Sequence, residues 1–280
     1  RQRQMCIRDS RYINTIHRSS KHADLVCFVT IDCLACTASP EVASTDHNTN
    51  LCSFFRNRTD LFCNSNNRCL VKSFFFGSGK SFSAKEEIVD LALSTEDDIL
   101  ILDPESEFAS LVEALNGEVI RISATSDTHL NALDMDSAYG NDRNPLIEKS
   151  EFILSLFEQL VGAGNLSAKE KSILDRCTAD VYRDYMRGGY KGQVPTLKDL
   201  YRQLMLQPEE EARGLALSSE LFINGSLNTF AQETNVNTKS RIIDYDIREL
   251  GEQLMPLGML VTLDSIFNRV IQNWKKGKTT

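Results

Sequence analysis

Gly77-Ser-Gly-Lys-Ser-Phe-Ser-Ala-Lys85, followed by Asp97-Asp-Ile-Leu-Ile-Leu-Asp-Pro-Glu-Ser-Glu-Phe108, is the stretch on which the fold turns. A Gly-x-Gly-Lys-Ser turn that opens a helix presents successive backbone N–H groups to a phosphate. Gly77, Ser78, Gly79, Lys80 and Ser81 are therefore the candidate phosphate-binding residues. Lys80 is placed to reach the outer phosphates, and the Ser81 hydroxyl to ligate Mg²⁺. The second segment is an unbroken apolar run ending in acids, the pattern of a central parallel strand buried on both faces. The full loop pattern, G-x-x-x-x-G-K-[ST], puts its first glycine at position 74, where this chain has Phe74 in the run Phe74-Phe-Phe76. Three phenylalanines lack the backbone freedom that a tight anion-binding loop uses.

Working outward, helical spacing over 81–93 places Ile88, Val89, Ala92 and Leu93 on one face. Strands are expected at 98–102 and 119–122, with a helix over 105–115 between them that ends at Asn116-Gly117. Strand and helix alternating at this spacing imply a parallel α/β sheet. From about 147 to 230 the pattern is helical almost throughout, with segments at 150–161, 167–186, 196–206 and 209–223. Ser167-Ala-Lys-Glu170 is a capping box, and Thr196-Leu-Lys-Asp199 is its shorter-acid version. Strand character returns at 240–247. A helix from about Pro256 to Lys276 follows, and its stripe of Leu260, Leu263, Phe267, Val270, Ile271 and Trp274 reads as core.

The 280 residues suffice for one large domain or two small ones. Charge is uneven. Residues 1–76 carry ten Lys/Arg and six Asp/Glu, and the rest of the 31 and 39 leaves the body acidic by twelve. An acidic body argues against a broad nucleic-acid-coating surface. Seven of the eight cysteines precede Gly77, so the body reads as free of disulfides and cytosolic. No run approaches the length of a membrane-spanning helix. Residues 1–76 begin without Met and show no sustained periodicity, and Arg1–Ser10 resembles translated sequencing-adapter sequence. This segment is expected to be spurious or disordered and poorly packed on the body. Cys33, Cys36, Cys63 and Cys69 are the alternative there, as a zinc site, although the second pair is too widely spaced for the usual ligand pattern.

Taken in order, Gly77–Lys85, Asp103-Pro-Glu-Ser-Glu-Phe108, Asn131-Ala-Leu-Asp134, Lys149-Ser-Glu-Phe-Ile-Leu154 and Ile243-Asp-Tyr-Asp-Ile-Arg-Glu-Leu250 resemble the conjugal-transfer ATPases of type IV secretion systems, in particular those of Gram-positive conjugative elements. The resemblance covers 77–280. It implies a P-loop, RecA-like α/β motor domain with an inserted all-α subdomain at about 147–230, cut short at its C-terminus. It further implies ATP and Mg²⁺ as cofactors, a homo-hexameric parent, other secretion-channel subunits as partners, DNA as a transfer substrate, and a cytoplasmic position peripheral to the inner face of the membrane. Lys80, Asp103 and Glu105 are the catalytic candidates it implies, the two acids ending the strand beside the loop. The family's next strand, which carries the catalytic carboxylate, lies beyond position 280. The expectation is therefore of a chain that binds ATP·Mg weakly and turns it over negligibly.

Other groups weigh less. Arg241 and Arg248 flank the late strand as arginine-finger candidates, with solvated strand-end charges as the plainer reading. Asp244 and Asp246 share one face of that strand and are expected to be exposed edge or turn-facing acids, with a metal pair as the alternative. Arg187-Gly-Gly-Tyr-Lys-Gly192 reads as an inter-helix loop. Two other functional classes fit the pattern: a DNA-pumping ATPase of the FtsK/HerA kind, and a non-catalytic nucleotide-binding or interaction module docking partners through the helical block.

Overall fold

The computed structural model describes residues 25–29, 69–72, 80–140, 144–162, 164–277 and 280. Among them are the strands β1 (Leu25–Val29), β2 (Cys69–Lys72), β3 (Ile99–Asp103), β4 (Glu118–Arg121) and β5 (Ile242–Asp246). They form one sheet in the order β2-β1-β3-β5-β4, and every pairing is parallel. All five residues of β3 and of β5 are buried, as expected of strands covered on both faces.

Side-chain alternation along the strands divides the core in two. Ile99, Ile101 and Ile242 pack with Ala84, Ile88, Phe108 and Val112. The last four belong to α1 (Lys80–Ser94), to α2 (Ala109–Ala114) and to the residue before α2. Leu100, Leu102, Ile120, Ile243 and Tyr245 face the other way, into the larger core. That core is closed by a helical lobe of α3 (Pro145–Val161), α4 (Ala168–Arg187), α5 (Leu197–Met205) and α6 (Glu210–Ile223), and by the long helix α7 (Gly251–Lys275). The α/β sheet with an inserted all-α subdomain is thus the architecture observed, and no strand interrupts 145–223 among the described residues.

Both capping boxes form. Ser167 N donates to Glu170 Oε2 at 2.8 Å while Glu170 N donates to Ser167 Oγ, and Thr196 N donates to Asp199 Oδ2 at 2.8 Å. Gly117 marks a close approach: a Cβ there would stand 2.7 Å from Val112 Cγ1 and 2.9 Å from the backbone oxygen of Ile242. Only a hydrogen side chain lets the α2–β4 turn sit against β5.

Several elements differ from their sequence expectation. No strand was read before Phe76, and β1 and β2 are two. Both are short apolar runs, which periodicity does not distinguish from other apolar segments. The remainder of 1–68, including Cys33, Cys36 and Cys63, lies outside the described residues. The helix expected over 105–115 begins only at Ala109. The Asp103 carboxylate accepts N–H groups from Glu105 (3.1 Å) and Phe108 (2.8 Å) and holds the intervening residues in a loop. α7 begins five residues before Pro256, so the proline lies inside the helix, near its start. There it removes the hydrogen bond to the Glu252 carbonyl and crowds that carbonyl with its ring. Trp274 is 52% exposed and does not belong to the core stripe. Arg248–Lys275 is long and apolar enough to cross a membrane by length and composition, yet 67% of its apolar window is buried within the protein, as in a core helix.

Candidate functional site

In a parallel sheet the crevice at the carboxyl ends of the strands is where loops and helix N-termini converge on a ligand. Here that edge holds the start of α1, the loop after β3 and the ends of β4 and β5. Lys80 is the first residue of α1, and Ser81 lies exposed in its first turn. Gly77, Ser78 and Gly79 lie outside the described residues. Ala84 and Ile88 seat α1 on the sheet, and the Lys85 ammonium sits 5.6 Å above the Phe108 ring. The N-terminal half of α1 therefore lies beside the loop that leaves β3.

Asp103 and Glu105 were expected on the strand beside the phosphate loop. In the sheet, β1 lies between β2, which precedes the motif, and β3, which Asp103 ends. Two strand spacings amount to about 10 Å. The two acids also differ in character. Asp103 is buried, with its oxygens committed to the Glu105 and Phe108 amides. Burial pushes its carboxyl above the ordinary value; the loop amides oppose that, and the Asp246 charge adds to it. Asp103 shapes the loop, and Glu105 and Glu107 are the acids that loop presents to solvent. Ser106, at φ 57°, turns the chain so that its hydroxyl donates to Asp246 Oδ2 at 2.7 Å.

Asp244 and Asp246 are not exposed edge acids. They are 0% and 7% exposed. Across the three strands, Asp103, Asp246 and Arg121 are register partners, with Asp244 one step lower between Ile101 and Val119. Asp246 is satisfied by the Ser106 hydroxyl and the Arg248 amide, and Arg121 Nε stands 4.0 Å away. Arg121 also pairs with Glu113 at 3.0 Å. Neither oxygen of Asp244 has a hydrogen-bond partner among the described residues. Burial first, then the Asp103 and Asp246 charges, push its carboxyl up to about 8, against a smaller opposing pull from Arg121. Near neutral pH this favours the protonated form of Asp244, with burial the largest cause.

Arg241 is neither a finger nor a solvated charge. Its guanidinium donates to the carbonyls of Asp97 (3.0 Å), Ala92 (3.2 Å) and Thr95 (2.5 Å), closing the C-terminal end of α1. Arg248 is exposed. Among the described residues no three His, Cys, Asp or Glu side chains converge to hold a metal ion. A Mg²⁺ here would take its ligands from phosphate, water and Ser81, which fits the few protein ligands this ion uses beside phosphates.

A second polar concentration lies on the opposite face. Asn131, Asp134 and Asp136 line a cavity of about 320 Å³ together with Asp264, Asn268 and Arg269 of α7. Beside it, fully buried Lys149 pairs with Asp264. The sequence carried a trace of this in one lysine at helical spacing from Phe152, Ile153 and Leu156. The signal for Asp244 was two acids alternating within an otherwise apolar strand.

No family model and no curated protein matches the chain. The solved structure of VirB4 of Thermoanaerobacter pseudethanolicus is similar to it in fold, with a TM-score of 0.59 and 21% sequence identity, over 69% of this chain and 76% of that chain.

Proposed function

We propose that this chain is the nucleotide-binding part of an ATPase that energises a type IV secretion system, with Mg·ATP held at the N-terminus of α1. The observation that carries the reading is the coincidence of the Gly77–Ser81 string, opening α1 at the carboxyl edge of a parallel sheet, with a fold like that of a type IV secretion ATPase. Lys80 would neutralise the outer phosphates, and Ser81 would take one position on Mg²⁺. The bound ion would supply charge neutralisation of the phosphates. Glu105, exposed on the loop after β3, would order a water between loop and ligand, with Asp103 as the residue that positions it. The finer assignment is conjugative DNA transfer by a homo-hexamer docked on channel subunits at the cytoplasmic face of the membrane.

The test is equilibrium binding of Mg·ATP and Mg·ADP to the full chain and to Lys80→Ala. A loss of at least tenfold in affinity on removing the ammonium, with circular dichroism unchanged, is expected. Equal affinity in the two proteins, or no binding at millimolar nucleotide, would overturn the reading.

A further inference from the structure

A lysine with no exposed surface needs an explanation, because an ammonium in a protein interior loses several kcal/mol of hydration. Lys149 is such a residue. It sits in the second turn of α3, the first helix of the lobe, and its Nζ lies 2.9 Å from Asp264 Oδ2 on α7. The Tyr139 and Phe152 rings flank the ammonium at 4.8 and 4.4 Å. The Tyr139 hydroxyl donates to Asp264 Oδ1 at 2.6 Å. Both carboxylate oxygens are thereby engaged, one from the lobe and one from the loop that precedes it.

That loop is gripped from both sides. From the lobe, the α4 hydroxyls of Tyr182 and Tyr185 donate to the carbonyls of Leu133 (2.6 Å) and Met135 (3.0 Å). From α7, Gln272 donates to Asp136 at 2.6 Å, and Lys275 donates to the carbonyls of Ala138 (3.0 Å) and Gly140 (2.9 Å). Thr234 Oγ1 donates to Asp134 at 2.5 Å. Burial pushes the Asp134 carboxyl up, against the Thr234 bond and the Lys149 charge, so the ammonium acts on a second acid as well.

We propose that the Lys149–Asp264 pair, with Tyr139, is a latch that gives the helical lobe one seating on the sheet. Apolar side chains of similar volume could fill this interior as stably, since a buried pair recovers little more than its own desolvation. What they could not supply is direction. Leucine or methionine tolerates a slide of α3 along α7 by a fraction of a turn, because dispersion contacts are non-directional. The ammonium, held between two rings and one carboxylate oxygen, is satisfied only in the observed register. The latch lies at the root of the lobe, where a small shift becomes a large displacement of α5 and α6. It is independent of the nucleotide reading.

The experiment is hydrogen exchange on the full chain, comparing wild type with Lys149→Met/Asp264→Leu, which removes both charges together. The expected result is exchange at least tenfold faster in 131–140 and in α3 and α4, with β3 and β5 unchanged. Unchanged exchange throughout would show that the pair only fills space. Uniform acceleration of lobe and sheet would show that it only adds global stability. Either outcome overturns the latch. Tyr139→Phe keeps the ring and deletes one hydrogen bond, so it guards against a double variant that does not fold. It should accelerate the same segments about threefold, and no acceleration there counts equally against the proposal.

Discussion

Two buried acids, Asp244 under the carboxyl edge of the sheet and Asp264 at the root of the lobe, sit in similarly dry surroundings and are treated oppositely. Asp264 has an ammonium at 2.9 Å and a phenol at 2.6 Å. Asp244 feels the charges of Asp103 and Asp246 and has no hydrogen-bond partner among the described residues. The contrast shows that burial alone does not decide what a carboxyl does; the charge within about 6 Å does. At the lobe the acid is a structural anchor. At the edge it is a neutral group whose ionisation the fold resists.

The sharpest way to break this comparison is a pH series on Asp244. Its folded value, about 8, lies above the usual aspartate value, so the folded state binds the proton more tightly than the unfolded state. Between those two values the unfolded chain has released the proton and the folded chain has not. Stability should therefore fall as pH rises through that window, by up to about 1.4 kcal/mol per pH unit, and level off above pH 8. Relative to Asp244→Asn, urea unfolding at pH 5, 6, 7 and 8 should show wild type losing several kcal/mol across the series. A stability difference that is flat with pH would mean Asp244 is ionised in the fold.

Lys149→Met tests the other half. It leaves Asp264, with Asp134 close by, in a buried site without its ammonium. A loss of about 3–5 kcal/mol in denaturant unfolding is expected. A loss below about 1 kcal/mol would mean that water or rearrangement replaces the ion pair and that the two acids are not so different.

Arg241→Ala sharpens the comparison by removing a cation that holds carbonyls instead of a carboxylate. Three buried or half-buried carbonyls at the end of α1 lose their donor. About 2 kcal/mol of destabilisation is expected, without effect on the pH slope assigned to Asp244. A changed slope would show that the edge acids sense Arg241 across the sheet.

The smallest effect belongs to the lobe surface. Ser167→Ala removes one side of an exposed capping box and should cost about 1 kcal/mol, seen as a small fall in thermal midpoint. An effect as large as that of Lys149→Met would place the lobe's stability in its helix caps and not in its seat on α7.

Much of the architecture was legible in the residues. The run Ile99–Asp103 announced a buried parallel strand, the helical period from α3 to α6 announced a lobe, and Ser167-x-x-Glu170 announced a helix start to within a residue. These are local features: a strand covered on both faces must be apolar throughout, and an N-cap is satisfied within three residues. The candidate site was legible only in part. Gly77–Ser81 is the sequence basis of the proposed phosphate binding, and the boundary error at α2 arose because Asp103 captures the Glu105 and Phe108 amides that a helix start would have left to water.

What the sequence alone determined was the order of strands and helices from α1 onward and the residue types proposed to meet phosphate. Sheet order, the insertion of β1 between β2 and β3, the burial of Asp244 among acids and the meeting of Lys149 with Asp264 were decided by tertiary structure. Each joins residues far apart in the chain, and periodicity reports which face of an element is apolar, not which element will cover it. A charge written into an apolar stripe can be read from sequence as an anomaly, but its partner, and so its protonation and its role, exists only once the sheet and lobe have packed.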